Sequence, residues 1–519
     1  MSTLAVLILQ YLCLASVGVY LVKQVIFAKK NRAPYPPGPR GLPLVGNLHD
    51  IPRDKSWLTF TEWGKKYGSD ISHINVLGMH IVVLNSVESA VEMLDKKSSI
   101  YSDRPVVPMT GELMGYGQTL AYLRYGERFR LFRKNCHRIF GSRAALVDYH
   151  PIEEMEAQRF LKRVLAKPDQ LQAYVRLTAA AVVLRLCYGY EVKEDDDPLV
   201  DIAKRTLDQL SRYSLTGEFM VDFLPFLAKV PEWFPGAGFK RLARECRKNT
   251  EEMAAAPYKF VKDQVAAGIA PKSFASDLLK DRTLTPEEDY IVKWSAVSLF
   301  SGGADTTVSA IYSFFLAMTL FPDVQKKAQA EIDAVVGPDR LPSFADRASL
   351  PYVEALTKEV LRWNIVISSS MFDRSTIQDD IHDGYYIPKG SLIIINVWSM
   401  LNDPQTHANP LEFNPERFLA KDGKKPERDP RTVCFGFGRR FLTLVAFDCI
   451  GLHLADASIW ISVAMSLAVF NVSKVVENGV EITPEVDCTS GVISHPKPFK
   501  CSIEAQSEKA LALIQQDAD

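Results

Sequence analysis

Thr285-Pro286-Glu287-Glu288-Asp289-Tyr290-Ile291-Val292-Lys293-Trp294-Ser295-Ala296-Val297-Ser298-Leu299-Phe300-Ser301-Gly302-Gly303-Ala304-Asp305-Thr306-Thr307 is the stretch from which the fold is read. Threonine can cap a helix. Proline suits the first turn, where its missing N–H leaves no bond unmade, and Glu288 completes a capping box. The helical pattern then continues to Pro322, ~35 residues or ~50 Å at 1.5 Å per residue. A small domain has no use for such a length, so this helix is expected to run through the middle of a large one. Its interior carries two glycines, each costing ~1 kcal/mol against alanine, and an acid among hydroxyls that is costly to bury unless paired. A functional groove accounts for all of these. Close packing against another helix accounts for the glycines alone.

Around this helix the periodicity is again helical over Val87–Leu94, Glu127–Phe140, Ile152–Leu165, Leu177–Tyr188, Leu199–Ser211, Pro322–Val336 and Tyr352–Trp363. Strand-like runs are short, at Ile71–Val76, Ile81–Leu84, Tyr385–Ile387 and Leu392–Ile395. The expected class is therefore mainly α with small β-sheets. With 519 residues, 47% hydrophobic, and 61 basic against 62 acidic side chains, the chain is globular and has no basic stripe for nucleic acid. Its eight cysteines form no CxxC pair, which speaks against a zinc knuckle or a disulfide framework and for a reducing compartment.

No charged residue occurs from Met1 to Val22, and Lys23, Lys29, Lys30 and Arg32 come next. About 20 apolar residues cross a bilayer core, and trailing positive charge places the downstream chain in the cytosol. A cleaved secretory signal is the competing account, but the run is long and lacks a leading charge. Residues 1–28 are thus expected to be a single transmembrane anchor. Residues 29–47 form a basic, proline-rich hinge around Pro34-Tyr35-Pro36-Pro37-Gly38-Pro39, 48–505 one domain, and 506–519 a tail.

Four further stretches occur in order: Glu359-Val360-Leu361-Arg362, Phe413-Asn414-Pro415-Glu416-Arg417-Phe418, Phe435-Gly436-Phe437-Gly438-Arg439-Arg440 and Gly451-Leu452-His453-Leu454-Ala455. With the proline-rich hinge and the Gly-Ala-Asp-Thr-Thr helix, the set resembles the cytochrome P-450 family of haem-thiolate monooxygenases, specifically the microsomal type of filamentous fungi. Each motif alone is weak, since Glu and Arg three apart are usually a surface pair. The resemblance runs from the anchor to about Lys500. It implies the cytochrome P-450 fold, a haem b cofactor with an axial thiolate, and dioxygen as co-substrate. It further implies a lipophilic small-molecule substrate, a location on the cytosolic side of the endoplasmic reticulum membrane, and secondary or xenobiotic metabolism. No GxGxxG or Walker loop is present, so electrons are expected from a separate NADPH-dependent cytochrome P-450 reductase.

The resemblance also implies roles. Asp305 and Thr306 stand where the family relays protons to the oxygen site, as O–O cleavage requires. Glu359, Arg362 and Arg417 match a structural buried ion triad. Phe435 and Gly438 open the cysteine loop, Arg133 and Arg440 meet haem propionates, and Gly451 begins the helix after the ligand. Three departures accompany these matches. Phe129 replaces the usual Trp, and Asp373 the usual His. The expected cysteine position is Leu442, with seven extra residues before Cys449-Ile450-Gly451. Cys449 keeps its register with the helix that starts near Gly451, whose positive end favours a thiolate, so it is the expected ligand; Cys434 is the rival. The alternative function is a non-catalytic or haem-deficient relative, or a coding sequence that retains part of an intron.

Overall fold

The computed structural model describes Gly18 and residues 33–214, 217–369, 374–421, 423–438 and 451–516. The expected anchor apart from Gly18, Asp373, Arg440, residues 441–448 and Cys449 lie outside the described residues.

The protein is mainly helical, with small sheets. In chain order its longer helices are α1 (Ser56–Tyr67), α2 (Glu127–Phe140), α3 (His150–Ala166), α4 (Leu171–Tyr188), α5 (Pro198–Tyr213), α6 (Phe239–Ala266), α7 (Pro286–Leu320), α8 (Pro322–Val335), α9 (Pro351–Trp363) and α10 (Leu452–Val469). One four-stranded sheet has the order β1 (Ile71–Val76), β2 (Met79–Leu84), Leu392–Ile395, Arg374–Ser375. Leu392–Ile395 pairs parallel with β2, which carries the chain back across the body, and the other two pairings are antiparallel.

The decisive helix forms as its sequence dictates. Thr285 Oγ1 accepts the Glu288 N–H (3.3 Å), and Glu288 accepts the Thr285 N–H (2.9 Å). α7 then threads two cores. Ile291–Ala304 packs among α2, α4, α5 and α6, and Val308–Met318 among α3, α8, α9 and α10. Asp305 and Thr306 sit where one core gives way to the other.

Two helices escape the sequence reading. In α6 Pro257 reads as a break, because it lacks an N–H and crowds the preceding turn. Here the lost bond is offset by tertiary packing, with Met253, Ala254, Pro257, Tyr258 and Val261 all buried. α1 is short and ends in glycine, yet it buries Trp57, Phe60 and Trp63. The helix expected over Val87–Leu94 is regular only over Val87–Ala90 and widens to i→i+5 turns over Val91–Lys96.

The proline-rich stretch is docked between β1 and the separate hairpin of Asp380–His382 and Tyr385–Ile387. Pro34 O accepts the Tyr386 N–H (2.7 Å) and Pro37 O the His73 N–H (3.0 Å). The Tyr35 ring stacks on His73, with centroids 4.9 Å apart. Two described segments, Pro168–Tyr188 and Leu452–Val469, are long and apolar enough to span a bilayer, but 67% and 78% of their apolar windows are buried inside the protein. Both are core helices.

One buried acid gives the fold a pH dependence. Glu153 on α3 accepts the Ser458 hydroxyl of α10 (2.6 Å), and its second oxygen is buried with no partner among the described residues. Burial pushes its carboxyl up to about 8 from 4.5. The folded state therefore holds this proton while the unfolded chain releases it. The resulting stability is complete below about 4.5 and is lost as pH rises through about 8. Glu153→Gln is expected to flatten the fall in melting temperature between those limits and to leave the variant the more stable protein at pH 8. Parallel slopes for the two proteins in a pH series of thermal melts would refute this.

Candidate functional site

The site grows from one stripe of α7. Along this largely buried helix, Ser298, Gly302 and Thr306 recur every four residues and share a face that is only partly covered. Among the described residues a methyl group built on Gly302 meets nothing within 4 Å, whereas one on Gly303 lies 2.7 Å from Val183 Cγ2 of α4. The adjacent glycines thus serve different ends: Gly303 lets α4 approach, and Gly302 keeps a space open. Gly302→Ala is expected to stabilise the fold by up to ~1 kcal/mol through helix propensity. Gly303→Ala should fall below it by ~1–3 kcal/mol, because Val183 is stiff and must be displaced. Chemical denaturation of the two variants side by side measures the difference, and equal midpoints would refute the assignment.

Thr306 Oγ1 donates to Gly302 O (2.8 Å), which leaves its lone pairs toward the open space. Asp305 points elsewhere. It is 2% exposed, with Oδ2 3.2 Å from His495 Nε2 and Oδ1 3.4 Å from Arg176 Nη1. The structure places the acid and the alcohol on neighbouring faces of the helix: Thr306 lines the opening, and Asp305 lies behind it.

Phe435–Gly438 forms a tight turn. Gly436 and Gly438 have φ of 96° and 99°, where a side chain is strained. A Cβ on Gly438 would also come within 2.9 Å of Leu94 O. The Gly438 N–H donates to Asp95, and Phe437 O accepts from Arg374 Nη2 (2.5 Å). Arg374 is 2% exposed and was missed in the sequence; its only signal was its place next to Asp373. Arg133 of α2 is buried too, with its guanidinium 5.9 Å from the Phe129 ring centroid. Gly451 caps α10 without a side chain, and its carbonyl accepts the Ala455 N–H (2.8 Å). Cys434 is half-buried at the end of the short helix before the turn.

Beneath this turn Glu359, Arg362 and Arg417 are brought together. Arg362 grips Glu359 with two bonds (2.7 and 2.8 Å), and Arg417 Nε reaches Glu359 Oε1 (3.2 Å). Arg362 also donates to the carbonyls of Leu401, Pro410 and Glu412. A second network spans the flanks of the turn and of α10. Arg431 binds Asp456 Oδ1 (2.9 Å) and Glu354 Oε1 (2.8 Å), and Arg347 binds Asp456 Oδ2 (2.8 Å).

A haem is flat, largely apolar and carries two carboxylates. The open face at Gly302 and Thr306 suits its ring, and the buried guanidiniums of Arg133 and Arg374 suit its acids. These residues fit the group.

A sequence profile described as Cytochrome P450 matches residues 36–503. The chain is 52% identical over 483 residues to cytochrome P450 monooxygenase 208 of Postia placenta, covering 93% of this chain and 92% of that protein. It is 43% identical over 516 residues to cytochrome P450 monooxygenase claR of Ampulloclitocybe clavipes, covering 99% and 94%. To cytochrome P450 monooxygenase ppsD of Aspergillus oryzae it is 38% identical, covering 98% and 96%.

Proposed function

Because the chain belongs to the cytochrome P450 family of monooxygenases, we propose that it inserts one atom of dioxygen into a lipophilic small molecule. A separate NADPH-dependent cytochrome P450 reductase supplies the two electrons. Family membership implies a haem iron with a thiolate ligand, a redox partner, a lipophilic substrate and dioxygen. The finer reading is haem b, an anchor at 1–28 that holds the domain of 48–505 on the cytosolic face of the endoplasmic reticulum, and a role in secondary or xenobiotic metabolism.

The observation that carries this reading is the Ser298, Gly302, Thr306 face, a partly covered strip that opens at Gly302 beside a buried acid at the junction of the two cores. Cys449 would supply the thiolate, favoured by the positive end of α10 behind Gly451. Arg133, Arg374 and Arg440 would hold the propionates. When bound, the thiolate-ligated haem supplies oxygen activation by pushing electron density toward the iron. The chain's own part is to bring protons. Thr306 offers an oriented hydroxyl at the open face, and Asp305 passes protons to it from behind. Glu359, Arg362 and Arg417 keep the region under the turn rigid.

The seven extra residues before Cys449 favour a second reading, a relative that does not activate oxygen. The carbon monoxide difference spectrum of the reduced protein separates the two. A thiolate-type band that disappears in Cys449→Ala is the expected result. No such band in the wild type would replace the monooxygenase reading with the non-catalytic one, and a band that survives in Cys449→Ala would move the ligand to another cysteine.

A further inference from the structure

His495 is built into position by more bonds than a surface histidine requires. Its N–H donates to Thr489 Oγ1 (3.0 Å), and its carbonyl accepts the Thr489 N–H (2.9 Å). The preceding Ser494 is fixed on both sides, its carbonyl accepting from Ser309 Oγ of α7 (2.5 Å) and its N–H donating to Val366 O (2.8 Å). This frame presents the ring to α7, where Nε2 lies 3.2 Å from Asp305 Oδ2. Three charged or titratable groups surround that carboxylate and its ion pair: His495, Arg176 from α4, and Asp208 from α5, which pairs with Arg176 at 3.3 Å.

The two ring nitrogens differ in their surroundings. With Asp305 as carboxylate, Nε2 is the donor, which leaves Nδ1 as an acceptor. Nδ1 is buried and has no partner among the described residues. A ring that passes protons needs that free nitrogen, because one face must take a proton as the other gives one.

We propose that His495 is a positioning residue of the monooxygenase reaction, which orients Asp305 and hands it the proton that Asp305 then passes toward Thr306. The step moves no electrons. When a water reaches Nδ1 from the exposed edge of the residue, which is 7% accessible, one proton binds Nδ1, the Nε2–H bond breaks, and one proton arrives at Asp305 Oδ2. The ring is left as the Nδ1–H tautomer and returns to its starting form by exchange with water. Arg176 holds the other carboxylate oxygen electrostatically and cannot substitute, since its guanidinium does not give up a proton. The proposal rests on the monooxygenase reading above.

The test has two arms. In protein labelled with 15N-histidine, the His495 signals are identified by their absence in His495→Gln. The expected wild-type pattern is a protonated Nε2 and a bare Nδ1, with or without haem. The second arm uses the haem-loaded protein with reductase and measures NADPH oxidation in light and heavy water. Glutamine places an amide N–H near the Nε2 position but cannot relay a proton. His495→Gln should therefore keep haem content and melting temperature, lose roughly tenfold or more in rate, and show a larger solvent isotope effect. His495→Phe should be as slow, or slower. A protonated Nδ1 in the wild type, or a His495→Gln rate and isotope effect equal to wild type, would overturn the relay. A wild-type protein without a thiolate-type carbon monoxide band overturns the functional reading instead. The nitrogen pattern, which needs no haem, then judges the contact with Asp305 alone.

Discussion

Arg362→Ala is expected to leave little folded protein. The guanidinium is fully buried, makes two bonds to Glu359, and donates to three backbone carbonyls, at Leu401, Pro410 and Glu412. Truncation removes every one of these donors and, among the described residues, leaves the Glu359 carboxylate in the core with the Arg417 Nε–H (3.2 Å) and the Asn414 N–H (2.8 Å) alone. Removing one partner of a buried pair typically costs ~3–5 kcal/mol, because the remaining charge is not solvated. Against a total stability of ~5–15 kcal/mol, that is a large fraction. Arg362→Lys should recover only part of it, since an ammonium cannot reproduce the forked contacts that span Glu359 and the carbonyls. Thermal melting and soluble yield measure both variants. Lys259→Ala, which breaks an exposed pair with Asp263, serves as the control with unchanged melting. An Arg362→Ala protein that melts with the wild type would mean that the pair is dispensable to the fold.

The distance along the chain between interacting residues decides which contacts are legible in the sequence. The α7 capping box is local, so Thr285, Pro286 and Glu288 declare it within four positions. The pairing of Glu359 with Arg362 is one helical turn and equally legible; that Arg417 closes the triad came only through resemblance to a family. Asp305 stood out as an acid on a buried helix. Its partners did not, because His495 lies 190 residues away in a loop whose path no periodicity records. Gly302 and Gly303 look alike in a string of letters and differ only once Val183 is in place: Gly303 packs closely against it, and Gly302 faces open space among the described residues. α6 shows the converse, a local signal that tertiary contacts override. Pro257 obeys a local rule that predicts a break, and buried contacts along the helix outweigh it.

Thr306→Ala is expected to separate electron use from product formation without disturbing the fold. The hydroxyl's one intrahelical bond is to Gly302 O, an i−4 contact that alanine does not need, and alanine is the better helix former. Stability should therefore stay within ~0.5 kcal/mol of wild type. The chemistry should not. Thr306 is the hydroxyl on the open face, and Asp305 behind it is turned toward His495 and Arg176, so the carboxylate has no direct line to that face without the alcohol or a water in its place. Loss of a positioned proton donor costs ~10²–10⁴-fold in the step it serves. With a lipophilic probe that the wild type oxidises, NADPH consumption should continue, product should fall by about two orders of magnitude, and the electrons should leave as hydrogen peroxide. Thr306→Ser restores the oxygen atom and should recover most of the coupling, which a role in packing the Thr306 methyl group would not allow. If Thr306→Ala instead formed product in step with NADPH, the Thr306 hydroxyl would not be a required step of the proton path, and a water in its place would carry the proton from Asp305.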